Sequence, residues 1–146
     1  MKIEEITAEW KNDCKIDITD IQEGILKTPQ LHCKYISILS NCKMMILKSE
    51  RNYLGSRKKM TKYYNGEMDN IELSELGLDQ YQHKRPLITQ LENLLTIDER
   101  VIEYKMIIEE LTICKDMLES IIKSIASRSY DMRALVDYMK WSQGIV

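Results

Sequence analysis

The chain has 146 residues, a formal net charge of −2, four cysteines, two prolines, five glycines and no phenylalanine. That length suits one compact domain or one helical protomer of an assembly, and the scarcity of Gly and Pro favours long helices over a turn-rich sheet. No apolar run reaches the roughly 18 residues that cross a bilayer, and the N-terminus lacks the basic-then-apolar order of a signal peptide, so a cytoplasmic location is expected.

Residues 2–12 put Ile3, Ile6 and Trp10 at helical spacing and predict a short amphipathic helix. After a break at residues 15–20, a second short helix over Ile21 to Leu26 is expected. Thr28-Pro29 then reads as the start of a long helix reaching about Tyr64, with Thr28 as cap and Pro29 in the first turn. Its first half carries Leu31, Tyr35, Ile38, Cys42 and Met45 at alternating spacings of four and three, a seam for another helix. A parallel row, Leu39, Ile46, Tyr53 and Met60, recurs every seven residues.

The distal half of that helix changes character. Lys43 to Tyr64 holds Lys43, Lys48, Arg51, Arg57, Lys58, Lys59 and Lys62 against Glu50 alone, with Tyr53, Tyr63 and Tyr64 among the cations. Cations follow phosphates and aromatic faces stack on unpaired bases, so the combination fits single-stranded nucleic acid. The candidate contacts are Lys48, Arg51, Arg57, Lys58, Lys59, Lys62, Tyr63 and Tyr64. A solvated basic helix face is the plainer alternative. Asn65 to Asp79, with five acids from Glu67 onward and no base, reads as a linker. It is either a solvated loop or an acidic strap that lies over the basic tip in the absence of nucleic acid.

Pro86 to Leu95 is a further helical segment, and Thr96-Ile97-Asp98-Glu99 reads as a capping box with Thr96 as the cap. The helix it opens has Ile97, Val101, Tyr104, Ile108, Leu111, Leu118, Ile122 and Ile125 in a seam that Lys115 interrupts, widened by Ile107, Cys114 and Ile121. So broad an apolar face asks for cover on more than one side. Ser127 to Gly144 forms a last amphipathic segment, with Arg128, Arg133 and Lys140 as a weaker basic surface and Gly144 as a helix stop. Ile108, Leu111, Leu118, Ile122, Ile125, Leu135 and Met139 are the candidate oligomerisation residues. The expected fold is all-α, an elongated protomer of long helices with coiled-coil-like seams. Residues 1–80 form an N-terminal region bearing the basic tip, and residues 81–146 a C-terminal assembly region.

The sequence has no Gly-rich phosphate loop, no nucleophile elbow and no HExxH. Its adjacent acid pairs diverge on a helix and its two histidines lie far apart, so no enzyme and no cofactor are expected. Cys14, Cys33, Cys42 and Cys114 lack CxxC spacing. His32, Cys33 and Cys42 as metal ligands is the weaker reading, and the cysteines are expected to be reduced packing residues, with no metal bound.

From Lys58 to Gly66 the chain resembles the UvsY family of recombination mediator proteins from T4-like phages. The resemblance extends through Met1-Lys-Ile-Glu-Glu-Ile, Asp13 and Ile16-Asp17 to the Lys, Tyr63-Tyr64 and Gly66 of the tip. It continues through Leu95-Thr96-Ile97-Asp98 and Val101, then Ser127-Arg128, Tyr130, Asp137, Trp141 and Gly144. It implies a protein of the host-cell cytoplasm that binds single-stranded DNA and the phage single-strand DNA-binding protein, and helps a UvsX-type recombinase load. It further implies a closed homo-oligomeric ring, hexamer or heptamer, assembled through the C-terminal part. The family's paired Lys and Arg of the tip correspond here to Lys58 and Met60, so Arg57, Lys59 or Lys62 is expected to replace the missing Arg. A helical adaptor or scaffold with no direct DNA role is the alternative that the residues themselves leave open.

Overall fold

The computed structural model describes residues 3–144, and every regular element among them is a helix. α1 spans Ile3–Asp13, α2 Ile21–Tyr64, α3 Asn70–Leu76, α4 Ile88–Ile97 and α5 Glu99–Ser142. Of the expected first helix, residue 2 lies outside the described residues. The chain forms two compact units, one combining Met1–Met44 with Thr112–Val146 and the other comprising Met45–Leu111.

α2 starts seven residues before the expected Thr28 cap. Asp20 supplies the cap instead, its carboxylate accepting the Glu23 N–H at 2.9 Å. The expected short helix at Ile21–Leu26 is therefore the first turns of α2, and Pro29 lies inside the helix. There it cannot donate to the Ile25 carbonyl. Gly66 ends the run from beyond the C-terminus: its positive φ of 72° lets the Glu67 N–H reach back to the Lys62 carbonyl at 3.0 Å.

In the first unit the seam of α2 holds through Leu31, Tyr35 and Cys42, all buried; the next seam position, Met45, opens the second unit and is exposed. An α-helix drifts about 20° per heptad against a strict seven-residue repeat, so one row cannot face a core throughout. In the second unit the parallel row takes over, with Ile46 and Tyr53 half-buried and Met60 buried. In the first unit the core row of α5 is Cys114, Leu118, Ile121, Ile125, Arg128 and Met132, spaced by alternating fours and threes, and in the second unit α5 buries Val101 and Leu111. Lys115 and Ile122 flank that row and are half-buried, so Lys115 interrupts nothing. The expected final segment at Ser127 to Gly144 is a continuation of α5, and Gly144 follows its end with φ 70°.

The expected Thr96 cap is corrected by two residues. Thr96 lies within α4, its hydroxyl donating to the Glu92 carbonyl at 2.8 Å. The chain turns instead at Asp98, extended at φ −69°, ψ 120°. The Asp98 carboxylate accepts the Arg100 N–H at 2.9 Å and the Tyr64 hydroxyl at 2.8 Å. A short buried acid is thus shared between the start of α5 and the end of α2.

The acidic stretch is not an unstructured linker. Asp69 and Glu72 form a reciprocal capping box, Glu72 N–H to Asp69 at 2.8 Å and Asp69 N–H to Glu72 at 3.1 Å, and α3 follows. All four cysteines are free; Cys42 and Cys114 are buried as expected of packing residues, whereas Cys14 and Cys33 are exposed, the Cys14 thiol donating to the Lys11 carbonyl at 3.6 Å.

Candidate nucleic-acid interface

A hydrophobic requirement sets the rotation of α2 in the second unit. Met60 is 1% exposed and packs with Leu95 and Val101, and Tyr53, Tyr63 and Tyr64 lie against this cluster. At about 100° per residue, burying Met60 gathers Lys48, Arg51, Lys58, Lys59 and Lys62 into one arc of roughly 100° on the far side of the helix. Arg57 falls outside the arc. Met60, where the resemblance led to the expectation of an Arg, is therefore a core position in this chain, and a cation there would be desolvated.

The cations fall into two groups. Lys48, Arg51, Lys58 and Lys59 are exposed and make no ion pair among the described residues. Arg57 and Lys62 are already engaged. Arg57 pairs with Glu92 and donates to the Tyr53 hydroxyl at 3.4 Å; the phenol oxygen first, and then the carboxylate, raise its pKa above the usual value. Lys62 donates to both oxygens of Glu72 at 2.6 Å, which raises its pKa and holds the Glu72 carboxyl below the usual carboxylate range. An acid of the 67–79 stretch thus occupies one cation of the tip, through a helix that Asp69-x-x-Glu72 announces as a capping-box spacing.

The tyrosines of the tip cluster with one another. Tyr63 and Tyr64 meet edge-to-face at 5.2 Å, and both contact Tyr81, at 5.6 and 5.3 Å. Burial, then the hydrogen bond to Asp98, pushes the Tyr64 phenol well above its ordinary pKa. Tyr63 and Tyr64 are both half-buried in this cluster, and the Tyr64 hydroxyl is committed to Asp98.

Beside the arc, where α2 meets the start of α5, lies a cleft of about 390 Å³ lined by Arg51, Gly55, Ser56, Lys59, Arg100, Glu103 and Tyr104 among others. The Ser56 hydroxyl donates to the Arg100 carbonyl at 3.0 Å and fastens the two helices there. Arg100 and Tyr104 were not among the sequence candidates. Nothing in their local spacing links them to the basic run, and only the packing of α5 on α2 brings them to it.

The expected assembly residues divide by burial. Leu111, Leu118 and Ile125 are buried by the chain's own core, Leu118 completely, so they have no surface to offer a sister chain. Ile108, Ile122, Leu135 and Met139 are half-buried. Arg128 is buried and leaves the expected weak basic surface to Arg133 and Lys140, both exposed. Among the described residues no helix is long and apolar enough to cross a membrane, and no three His, Cys, Asp or Glu side chains converge on a metal position.

The chain is similar to the recombination protein uvsY of Enterobacteria phage T4, at 24% identity over 144 residues covering 99% of each chain. Its fold is similar to crystal structures of the bacteriophage T4 recombination mediator protein UvsY. One lattice type gives a TM-score of 0.83 at 22% identity over 98% of each chain. Another gives 0.84 at 22% identity, covering 97% of this chain and 99% of the other. The family model described as recombination, repair and ssDNA binding protein UvsY matches residues 9–145, and the chain belongs to that family.

Proposed function

We propose that this protein is a recombination mediator. It holds single-stranded DNA on the cationic arc of α2 and eases a UvsX-type recombinase onto the strand in place of the phage single-strand DNA-binding protein. It does so in the host-cell cytoplasm as a closed homo-oligomer, and it hydrolyses no nucleotide itself. The observation that carries this reading is the row of exposed, unpaired Lys48, Arg51, Lys58 and Lys59 on one helix side in a chain whose net charge is −2.

These four cations meet a phosphate without first giving up a carboxylate. Arg57 and Lys62 must exchange Glu92 and Glu72 for DNA, so they contribute less. Binding by phosphate contacts is indifferent to base sequence, as a mediator that coats arbitrary strands requires. One arc is a modest site, and repetition around an oligomer turns it into strong binding through effective concentration.

Fluorescence anisotropy with labelled oligo-dT at two or more salt concentrations tests this. The wild-type protein binds with a steep salt dependence. In the Lys58→Ala, Lys59→Ala double variant the log–log slope falls by about 1.4 per subunit, two phosphate contacts at about 0.7 each, with the helical content unchanged. Unchanged affinity and slope in the variant exclude the arc as the site. The adaptor reading, for its part, requires that wild-type protein ignore oligonucleotides at low ionic strength.

A further inference from the structure

The arc has a neighbour that shares two of its cations. Arg51 and Lys59 also line the cleft between α2 and α5, and there they face Arg100 and Tyr104. Three cations against Glu103, the one acid in the lining, leave the cleft net positive. Its volume of about 390 Å³ lies within the range of sites that enclose a small ligand.

Two details keep the cleft open and charged. A Cβ at Gly55 would meet no atom within 4 Å, so the missing side chain leaves free space on the α2 wall. The Arg100 side chain is 45% exposed, and its nearest carboxylate, Asp98, stands 3.9 Å away. That carboxylate already accepts the Tyr64 hydroxyl and the Arg100 backbone N–H. The Arg100 guanidinium is thus held at the cleft half exposed, with its Asp98 partner at the long end of ion-pair distance and only Glu103 as an acid in the lining.

From this geometry we infer that the cleft is a nucleotide-binding subsite of the DNA path, with Arg51, Lys59 and Arg100 on one phosphate and Tyr104 against the attached base. The inference rests on the single-stranded DNA reading and adds to it a DNA contact from α5. A strand following the arc reaches the cleft without a detour, because Arg51 and Lys59 belong to both. Arg100 brings to the tip a guanidinium that position 60, buried as Met60, cannot supply. A planar fork suits a phosphate bidentately.

The test uses the full chain, a labelled dT oligonucleotide and an abasic oligonucleotide of the same length. Arg100→Gln lowers the salt slope by about 0.7 per subunit on both probes. Gly55→Leu, which changes no charge and fills the cleft, weakens binding to both. Tyr104→Ala loses about fivefold or more on dT and nothing on the abasic strand, the mark of a base contact. Thermal unfolding monitors each variant, and Gly55→Leu, entering open space, decides the matter if another variant melts early. Wild-type binding at normal strength with Arg100→Gln and Gly55→Leu indistinguishable from it overturns the subsite and leaves the mediator reading standing. Wild-type protein that binds neither probe at low salt overturns both.

Discussion

A buried guanidinium has to direct its donors at the chain itself, and Arg128 in the core row of α5 does so through its two terminal nitrogens, while its buried Nε–H has no partner among the described residues. Arg128 donates to the carbonyls of Asp13, Cys14 and Lys15 at 3.2–3.3 Å, closing the C-terminal end of α1, where backbone acceptors lack helical partners. From sequence alone Arg128 looked like part of a basic surface, because spacing gives the face of a helix and not what lies opposite. Arg128→Met fits the apolar row but strands these acceptors, and it is expected to cost about 2–3 kcal/mol in urea unfolding. Lys restores little, since one ammonium cannot reach three carbonyls as a fork does. Near it, Tyr35 and Lys34 both donate to Asp13, at 3.1 and 2.7 Å. Burial, then the Asp13 bond, pushes the Tyr35 phenol up to about 12. Burial raises the Asp13 carboxyl, but the Lys34 and Tyr35 hydrogen bonds outweigh it and hold the group below the usual range. The folded protein thus favours the protonated phenol, a contribution intact below the unfolded value of about 10 and lost as pH rises from there towards about 12. The carboxylate contributes above about 3.9 and loses its share as pH falls through its lowered folded value. Urea midpoints measured across pH are expected to fall on both sides, and Tyr35→Phe flattens the alkaline limb.

At the scale of the elements, the long helices were readable because their apolar spacing persists for many turns and only two prolines punctuate the chain. Their ends were less readable. Thr28-Pro29 carried the stronger start signal, yet Asp20 also caps, with Glu23 three residues on, and tertiary packing carried the helix through Pro29. Likewise Thr96 and Asp98 are both competent caps, and the Tyr64 hydroxyl, 34 residues away, favours Asp98. The cations of the tip were legible as a run, but which of them are free was not. That depends on Glu72 and Glu92, brought in by α3 and α4. Glu72→Gln should therefore free Lys62 and raise oligo-dT affinity at low salt, with the salt slope steeper by up to about 0.7 per subunit. Anisotropy titrations at several salt concentrations check this, and an unchanged slope shows that Lys62 stays off the strand.

For the whole molecule, the burial of Leu111, Leu118 and Ile125 within the single chain moves the search for assembly contacts to apolar side chains that remain outside. α5 carries several of these: Ile113 at 57% exposed, Tyr138 at 63% and Trp141 at 73%. Large apolar side chains left exposed on a helix, with Tyr138 and Trp141 adjacent at 6.0 Å between rings, are candidates for cover by another chain. The two classes of residue separate fold from assembly. Leu118→Asp buries a charge with no partner and is expected to unfold the first unit, seen as lost helical signal and a lowered melting temperature. Ile113→Asp and Trp141→Glu put their charges where water already reaches, so the helical signal stays while the sedimenting mass drops. Because joint binding through many arcs underlies the proposed avidity, the same two variants should also bind long oligo-dT more weakly while keeping the affinity of a single subunit for a short one. Retention of both particle mass and long-strand affinity in Ile113→Asp and Trp141→Glu would remove this face of α5 from the assembly.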